Sequence, residues 1–294
     1  MASLYREGAS VLTVLAPAKL NLTLEVLAKR PDGFHEIRSV IQAINLCDSL
    51  RFRLSKNIEF SCNDPSWVPA KSLVSKAANL LRKTTQCPKG VKIEVDKRIP
   101  LVSGLSGDSS DAAAVLGGLN RLWGLGLSLL QLLELASQLG SDVAFFLYGG
   151  TAVVRGRGEL VTPLPSLPHM WVVLMLPPVL RMPGKTERLY ASLKASRYTD
   201  GRITDRFAVL LMEGREITLS MLFNALDSVA VDSFAGLGGY WQQFLKAGAQ
   251  EVHLAGSGPA LFTLVKDKAQ AAKIYHNLQQ QGLETYLTET LATI

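Results

Sequence analysis

Residues 103–114, SGLSGDSSDAAA, constrain the fold more than any other stretch of the chain. They follow VKIEVDKRI, whose alternation predicts a strand over 91–99, and run into DAAAVLGGLNRLWG, an alanine-rich segment that predicts a helix. A strand, a proline, a glycine–serine loop and a helix start, in that order, leave backbone N–H groups free where the helix dipole favours an anion. Ser109 or Ser110 is the natural N-cap. Two carboxylates, Asp108 and Asp111, stand where a phosphate cradle should avoid negative charge. Taken bare, the pattern fits a structural turn capped by serine equally well. It is not a Walker A loop, because Val179 occupies the place of the first glycine ahead of the GKT at 184–186. No G-x-G-x-x-G follows a strand either.

Around this loop the periodicities alternate between strand and helix. In LAPAKLNLTLEV the residues Leu20, Leu22, Leu24 and Val26 fall on one face, and Lys19, Asn21, Thr23 and Glu25 on the other. The turn RPDGF ends that strand, and SVIQAINL and DSLRFRLS read as two further strands. Residues 72–86 predict an amphipathic helix, and Ser128 with Gln131 has the spacing of a capping box for another, ending near Gly140. SDVAFFLYGG predicts a short helical turn and TAVVRGRGEL a strand. TPLPSLPHM, with three prolines, reads as a linker or surface loop. Beyond it WVVLML is a buried strand, KTERLYASL a helix, and MEGREITLSMLFNALDSVA a helical region. EVHLAGSGPALFTLVKD reads as strand, glycine turn and strand, before a helix over 269–281 and a last strand in LETYLTET. The mixture predicts an α+β protein of two domains around a cleft, divided as 1–160 and 161–294.

Composition sets the class of ligand. Hydrophobic residues are 48% and charged residues 19% of the 294, a globular balance. The formal charge of +6 suits an anionic ligand, but the Lys and Arg residues are scattered, which argues against a nucleic-acid surface and for a phosphorylated small molecule. Cys47, Cys62 and Cys87 are odd in number and show no C-x-x-C spacing, so neither a disulfide framework nor a zinc site is expected, and a reducing cytoplasm fits. MASLYREGAS does not read as a secretory signal, and the longest apolar run, near residues 171–176, is far short of the roughly 20 residues that cross a bilayer.

Two charged residues stand apart. Lys19 lies on the polar face of a strand, where a lone lysine is ordinarily solvated. Asp142 in GSDVAFF leads an apolar run, the position of an ordinary helix N-cap.

APAKLNLTLEV with RPDGFHE, PLVSGLSGDSSDAAA, LGSDVAFFLYGGTAVVRGRGE and AGSGPALF together resemble the GHMP small-molecule kinases. The match is closest to the branch that phosphorylates CDP-methylerythritol in the non-mevalonate route to isoprenoid precursors. The resemblance runs from about residue 16 to the C-terminus, and PAKLNL with RPDGFHE is its specific part. It implies a two-domain GHMP-kinase fold with the active site in the cleft between domains, ATP and Mg²⁺ as cofactors, no nucleic-acid or membrane partner, and a monomer or homodimer. It also implies that Pro100, Gly104, Leu105, Ser106, Gly107, Asp108, Ser109 and Ser110 wrap the ATP phosphates, with Ser109 or Ser110 near the metal. Lys19 and Asp142 match the catalytic pair: Asp142 would take the proton of the substrate C2 hydroxyl, and Lys19 would keep Asp142 ionised. Phe34 and His35 match a cytosine-binding segment in which Tyr is the commoner stacking residue, and Asn21 is a further substrate contact. From the residues alone, Phe34 packing in the core and His35 capping a turn stays open. The glycine turn at 256–259 would close the phosphate end of the cleft, and Lys185 or Thr186 could contact substrate. Asp111 is expected in the first helical turn, bonding backbone N–H groups. Asp108 departs from the family, where glycine is common, and is expected to point to solvent or reach Mg²⁺. Two alternatives remain, another GHMP kinase with a different alcohol and an inactive nucleotide-binding regulator.

Overall fold

The computed structural model describes residues 4–8, 10–180 and 184–292. Its first half runs β1 (Tyr5–Glu7), β2 (Leu12–Lys29), β3 (His35–Ser55), β4 (Ile58–Cys62), α1 (Leu73–Thr85), β5 (Gly90–Asp96), α2 (Gly107–Trp123), α3 (Leu129–Ser137), α4 (Val143–Tyr148), β6 (Thr151–Gly156) and β7 (Leu160–Leu164). The second half runs β8 (Trp171–Leu176), α5 (Lys185–Ser192), α6 (Arg202–Met212), β9 (Phe223–Asn224), α7 (Asp227–Ser233), α8 (Leu237–Lys246), β10 (His253–Leu254), β11 (Leu261–Val265), α9 (Lys268–Gln280) and β12 (Glu284–Glu289).

The first sheet has eight strands, with β1-β2-β3-β5-β4 in order, β6 also on β3, β7 on β6, and β9 parallel to β2. The two strands expected in residues 39–55 are one long strand. Its early part pairs with β6 (Ile37–Gln42 against 151–156) and its later part with β5 (Ser49–Ser55 against 90–96), so β3 serves two neighbours on the same edge. Register shifts in the β2–β3 ladder, between Pro17 and Ala18 and between Asn21 and Thr23, bend the pair where the polar residues begin. The second sheet has four antiparallel strands in the order β10-β11-β8-β12.

Three apolar clusters hold these layers. Helices α1 to α4 cover one face of the first sheet with Leu81, Leu116, Leu119, Phe145 and Phe52. Leu20 and Leu22 of β2 pack with Val172, Leu174 and Phe262 of the second sheet, so the two sheets share a core. Leu24 and Val26 reach a third cluster, with Leu237, Phe244 and Ile274. The polar face of β2 is buried as well: Thr23 and Glu25 are fully enclosed. Glu25 accepts the amide of Thr204 (2.7 Å) at the start of α6, where the helix dipole favours a carboxylate.

Several expectations are corrected. TPLPSLPHM is only partly a loop, since β7 extends through Leu164 and carries Pro163 on an edge strand, where its missing N–H does no harm. Residues 212–230 are mostly not helical: α6 ends at Met212, residues 219–221 form a single 3₁₀ turn, and β9 pairs with β2 before α7 begins. The helices at 202–212 and 237–246 carried no start signal, because Gly201 and Gly236 stand at their N-caps in place of a hydrogen-bonding side chain. The capping box at Ser128 and Gln131 forms as expected.

Phe52 lies fully buried directly beneath α2, where a Cβ on Gly118 would approach its ring to 3.0 Å. Phe52→Ala is expected to lower unfolding stability by about 3–5 kcal/mol, read from urea denaturation, because neither sheet nor helix can close the gap without moving.

Candidate active site

The loop at 97–106 leads from β5 into α2. The helix begins at Gly107, and its N-cap is Ser106 in the left-handed conformation (φ 58°), not Ser109 or Ser110, which lie inside the first turn. The side chain of Ser106 makes no capping bond, so the amides at the helix start keep their freedom to bind an anion. Gly104 (φ 93°) is required on two counts. A Cβ there would sit 1.9 Å from the carbonyl oxygen of Ala255, because the loop touches the glycine turn of the second half. Lys19 N–H donates to Leu105 O (3.1 Å), tying the loop to β2. Pro100, Gly104, Ser106, Gly107, Asp108 and Ser109 line the cleft. Leu105 and Ser110 are buried behind it.

Lys97, at the end of β5, answers the question of the loop's carboxylates. Its ammonium lies 2.7 Å from Asp48, 2.9 Å from Asp111 and 3.3 Å from Asp108. Asp111 is therefore not a first-turn dipole partner bonding backbone amides. It is the fifth helical residue, fully buried, and its carboxylate faces Lys97. Asp48 completes the arrangement by accepting the amides of Arg98 (2.6 Å) and Ile99 (2.8 Å). Burial would lower the Lys97 ammonium, but Asp111, Asp48 and Asp108 outweigh it and hold it above the ordinary lysine value. Burial, with Asp48 and Asp108 adding to it, raises the Asp111 carboxyl well above the ordinary range despite Lys97. Asp108 keeps its side chain 60% exposed, the solvent-facing outcome, with Lys97 as an unforeseen partner.

Asp142 stands at the N-cap of α4 and makes no capping bond. Its Oδ2 instead accepts Ser106 Oγ (2.5 Å) and lies 3.7 Å from Lys19 Nζ. A solvated strand lysine is equally excluded: Lys19 is buried and donates to Asn21 Oδ1 (2.7 Å), while Asn21 Nδ2 donates to Ser39 Oγ (2.7 Å) and Ser39 Oγ to Thr23 O. This chain fixes the direction of the ammonium toward the cleft.

At the other end of the cleft the turn after β2 is held by Asp32, whose Oδ1 accepts Phe34 N (3.1 Å). Phe34 is 53% exposed rather than packed in the core, and the Arg157 guanidinium lies 4.7 Å from its ring centre. His35 faces Tyr190 of α5 (ring centres 5.2 Å, planes 32° apart) and meets Tyr198 edge-on (6.1 Å). Burial, and then Lys29, hold the His35 imidazole below its ordinary value. Burial, and then Asp142, push the Tyr190 phenol up. Tyr190 and Lys97 were not singled out in the sequence. The only signal for Tyr190 is its spacing on a helix that starts near the cleft.

The glycine turn at 256–259 closes the cleft from the second half. Ala260 N–H donates to Ser103 O (3.1 Å), and a Cβ on Gly256 would lie 2.8 Å from Gly104 O. Lys185 Nζ donates to Ser257 Oγ (2.9 Å), Ser257 O (3.2 Å) and Gly258 O, and Thr186 Oγ1 lies 2.8 Å from Ser257 Oγ. Burial, and then Lys19, lower the Lys185 ammonium to about 8. The cleft of about 1050 Å³ thus has an aromatic end at Phe34, His35 and Tyr190 and a cationic, amide-rich end at Lys19, Lys185 and the start of α2.

Residues 72–150 match the pattern described as "GHMP kinases N terminal domain", and residues 210–283 that described as "GHMP kinases C terminal". A Dehalococcoides mccartyi protein named 4-diphosphocytidyl-2-C-methyl-D-erythritol kinase is 50% identical over 284 residues, covering 97% of this chain and 100% of that protein. A Geobacillus kaustophilus protein of the same name is 37% identical, covering 91% and 93%. Among solved structures, a 4-(cytidine 5'-diphospho)-2C-methyl-D-erythritol kinase superposes with a TM-score of 0.80 at 31% identity, covering 95% of this chain and 98% of its own. A homoserine kinase from Cytophaga hutchinsonii, at 21% identity and a TM-score of 0.74, shares the fold.

Removing the Lys97 ammonium strands two buried carboxylates. Lys97→Met is expected to destabilise by about 3–5 kcal/mol in urea denaturation. Lys97→Met combined with Asp111→Asn should recover part of that loss, because one of the stranded charges is gone.

Proposed function

The chain belongs to the GHMP kinase family, and within it to the 4-diphosphocytidyl-2-C-methyl-D-erythritol kinases, and on that premise we propose that it transfers the γ-phosphoryl group of ATP to the C2 hydroxyl of 4-diphosphocytidyl-2-C-methyl-D-erythritol. The observation that carries this reading is Asp142, whose carboxylate faces Lys19 and the phosphate loop instead of capping its own helix.

The amides at the start of α2 hold the ATP phosphates, and Gly104 lets the backbone approach them. The C2 oxygen attacks the γ-phosphorus as the bond to the β-phosphate oxygen breaks and its electrons leave with ADP; the C2 proton passes to Asp142. A carboxylate is a weak base for an alcohol, but in a loose phosphoryl-transfer transition state the proton leaves late and positioning dominates. Lys19 keeps the carboxylate ionised and offsets charge on the transferring group. Asn21, engaged at both ends of its amide, acts by aiming Lys19. Phe34 offers its ring face to the cytosine, His35 its hydrogen-bonding edge, and Tyr190 closes that end of the pocket.

Among the described residues no three of His, Cys, Asp and Glu gather to hold a metal. The loop wall nevertheless offers Ser109, whose hydroxyl is a hard oxygen donor that would fit a Mg²⁺ held mainly by phosphate and water. When bound, Mg²⁺ neutralises phosphate charge. We take residues 1–160 as the ATP-binding domain and 161–294 as the C-terminal domain, with β7 reaching across to complete the first sheet. Among the described residues no helix is long and apolar enough to cross a membrane, and the three cysteines are free, which fits a cytoplasmic setting.

A coupled ADP-release assay with that substrate and Mg²⁺ tests the reading, and a panel of other alcohols tests its specificity. Asp142→Asn should lower turnover by about 10²-fold or more while ATP still binds; activity within about twofold of wild type would reduce Asp142 to a structural role. Because His35 is held neutral at pH 7, KM for the cytidyl substrate should rise as pH falls below the imidazole range, and His35→Gln should abolish that acid-side rise.

A further inference from the structure

Lys185 has no part in the reaction derived above, yet its surroundings are those of a residue awaiting a ligand. It opens α5, is buried, and donates to three acceptors that are all neutral: the hydroxyl and carbonyl of Ser257 and the carbonyl of Gly258. No carboxylate pairs with it among the described residues. Neutral dipoles satisfy the donors of an ammonium but leave its charge uncompensated. A second cation stands close by, since Lys19 Nζ would lie 3.5 Å from a Cβ on Gly256, the neighbour of Ser257. Around this turn two ammonium groups therefore face a single carboxylate, Asp142, in a cleft partly withdrawn from water. A bound oxyanion removes that surplus.

The placement along α5 adds direction. Tyr190, which faces His35, lies five residues beyond Lys185, about 7.5 Å at 1.5 Å per residue. One helix thus spans the aromatic and the cationic ends of the cleft.

We propose that Lys185 is a phosphate-gripping residue, stored on Ser257 and Gly258 in the free enzyme and turned onto a phosphate oxyanion of bound substrate, either the γ-phosphate of ATP or the diphosphate of the acceptor. This rests on the kinase reading above. The competing role is a fixed pin between α5 and the glycine turn, which would leave the ammonium where it is when ligand binds.

The two roles separate by NMR on the full chain labelled at lysine, with the Lys185 side-chain signal assigned by its absence from Lys185→Arg. The signal is followed against pH in the free protein, with CDP, and with adenosine 5'-(β,γ-imido)triphosphate plus Mg²⁺. We expect a midpoint near 8 in the free protein that rises by a full pH unit or more with one of the two nucleotides. The nucleotide that moves it identifies which phosphate is gripped. Lys185→Met should then raise KM for the corresponding substrate at least tenfold, with Lys185→Arg within threefold of wild type. If both nucleotides bind by calorimetry and neither moves the Lys185 signal, or if KM in a folded Lys185→Met stays within twofold, the proposal is overturned while the kinase reading stands. Failure of both nucleotides to bind would overturn the kinase reading and this proposal together. Should Lys185→Met not fold, the measurement on the wild-type protein decides alone.

Discussion

A single buried ammonium, that of Lys97, underlies the rest of the site. It gathers Asp48 from β3 and Asp108 and Asp111 from α2 at the end of β5, and so ties three elements together beneath the glycine–serine loop. The second oxygen of Asp48 takes the amides of Arg98 and Ile99, which fixes the entry to the loop as firmly as its exit. A helix whose first turn carries a carboxylate can face an anion only if that charge is balanced from behind. Lys97 supplies that balance to Asp108. Burial makes the arrangement sensitive, because removing the cation leaves negative charge that water cannot reach.

Strand β2 forms the second part of the frame. Both of its faces are buried, one by the shared core of Leu20, Leu22, Val172 and Phe262, the other by α6 and the cleft wall. A polar side chain inside such a strand must find its partners in the protein: Lys19 has Asn21 and Asp142, Asn21 has Ser39, and one oxygen of Glu25 has the start of α6. The same requirement that keeps the strand stable also aims the Lys19 ammonium. The geometry of the proposed catalytic pair is a by-product of satisfying buried donors.

The two ends of the cleft differ in chemistry. The end lined by Phe34, His35 and Tyr190 is aromatic, which suits a heterocyclic base. The end lined by Lys19, Lys185 and the start of α2 concentrates positive charge and free amides. A ligand with a base at one end and phosphates at the other has only one orientation that complements both.

By itself the sequence determined the order and type of most elements, because amphipathic alternation, the Ser72 and Ser128 caps and the glycine turns are signals carried by residues a few positions apart. The glycine–serine loop stood out by its own pattern, whereas Lys19, Asp142 and Phe34 took their expected roles only from the resemblance to the GHMP kinases and not from any visible contact. Local pattern failed where the local signal was missing or misleading. Gly201 and Gly236 announce no helix, and the apolar spacing within 212–230 imitates one that the pairing of β9 with β2 forbids. Only the tertiary structure decided that Asp142 does not cap its helix, that the polar row of β2 is buried, and that Asp111 answers to Lys97. It also decided that Tyr190 meets His35 and that Lys185 rests on Ser257. Each of these is a contact between residues far apart in the chain, and a side chain's role there is set by what the fold brings within a few ångströms of it, which no stretch of sequence contains.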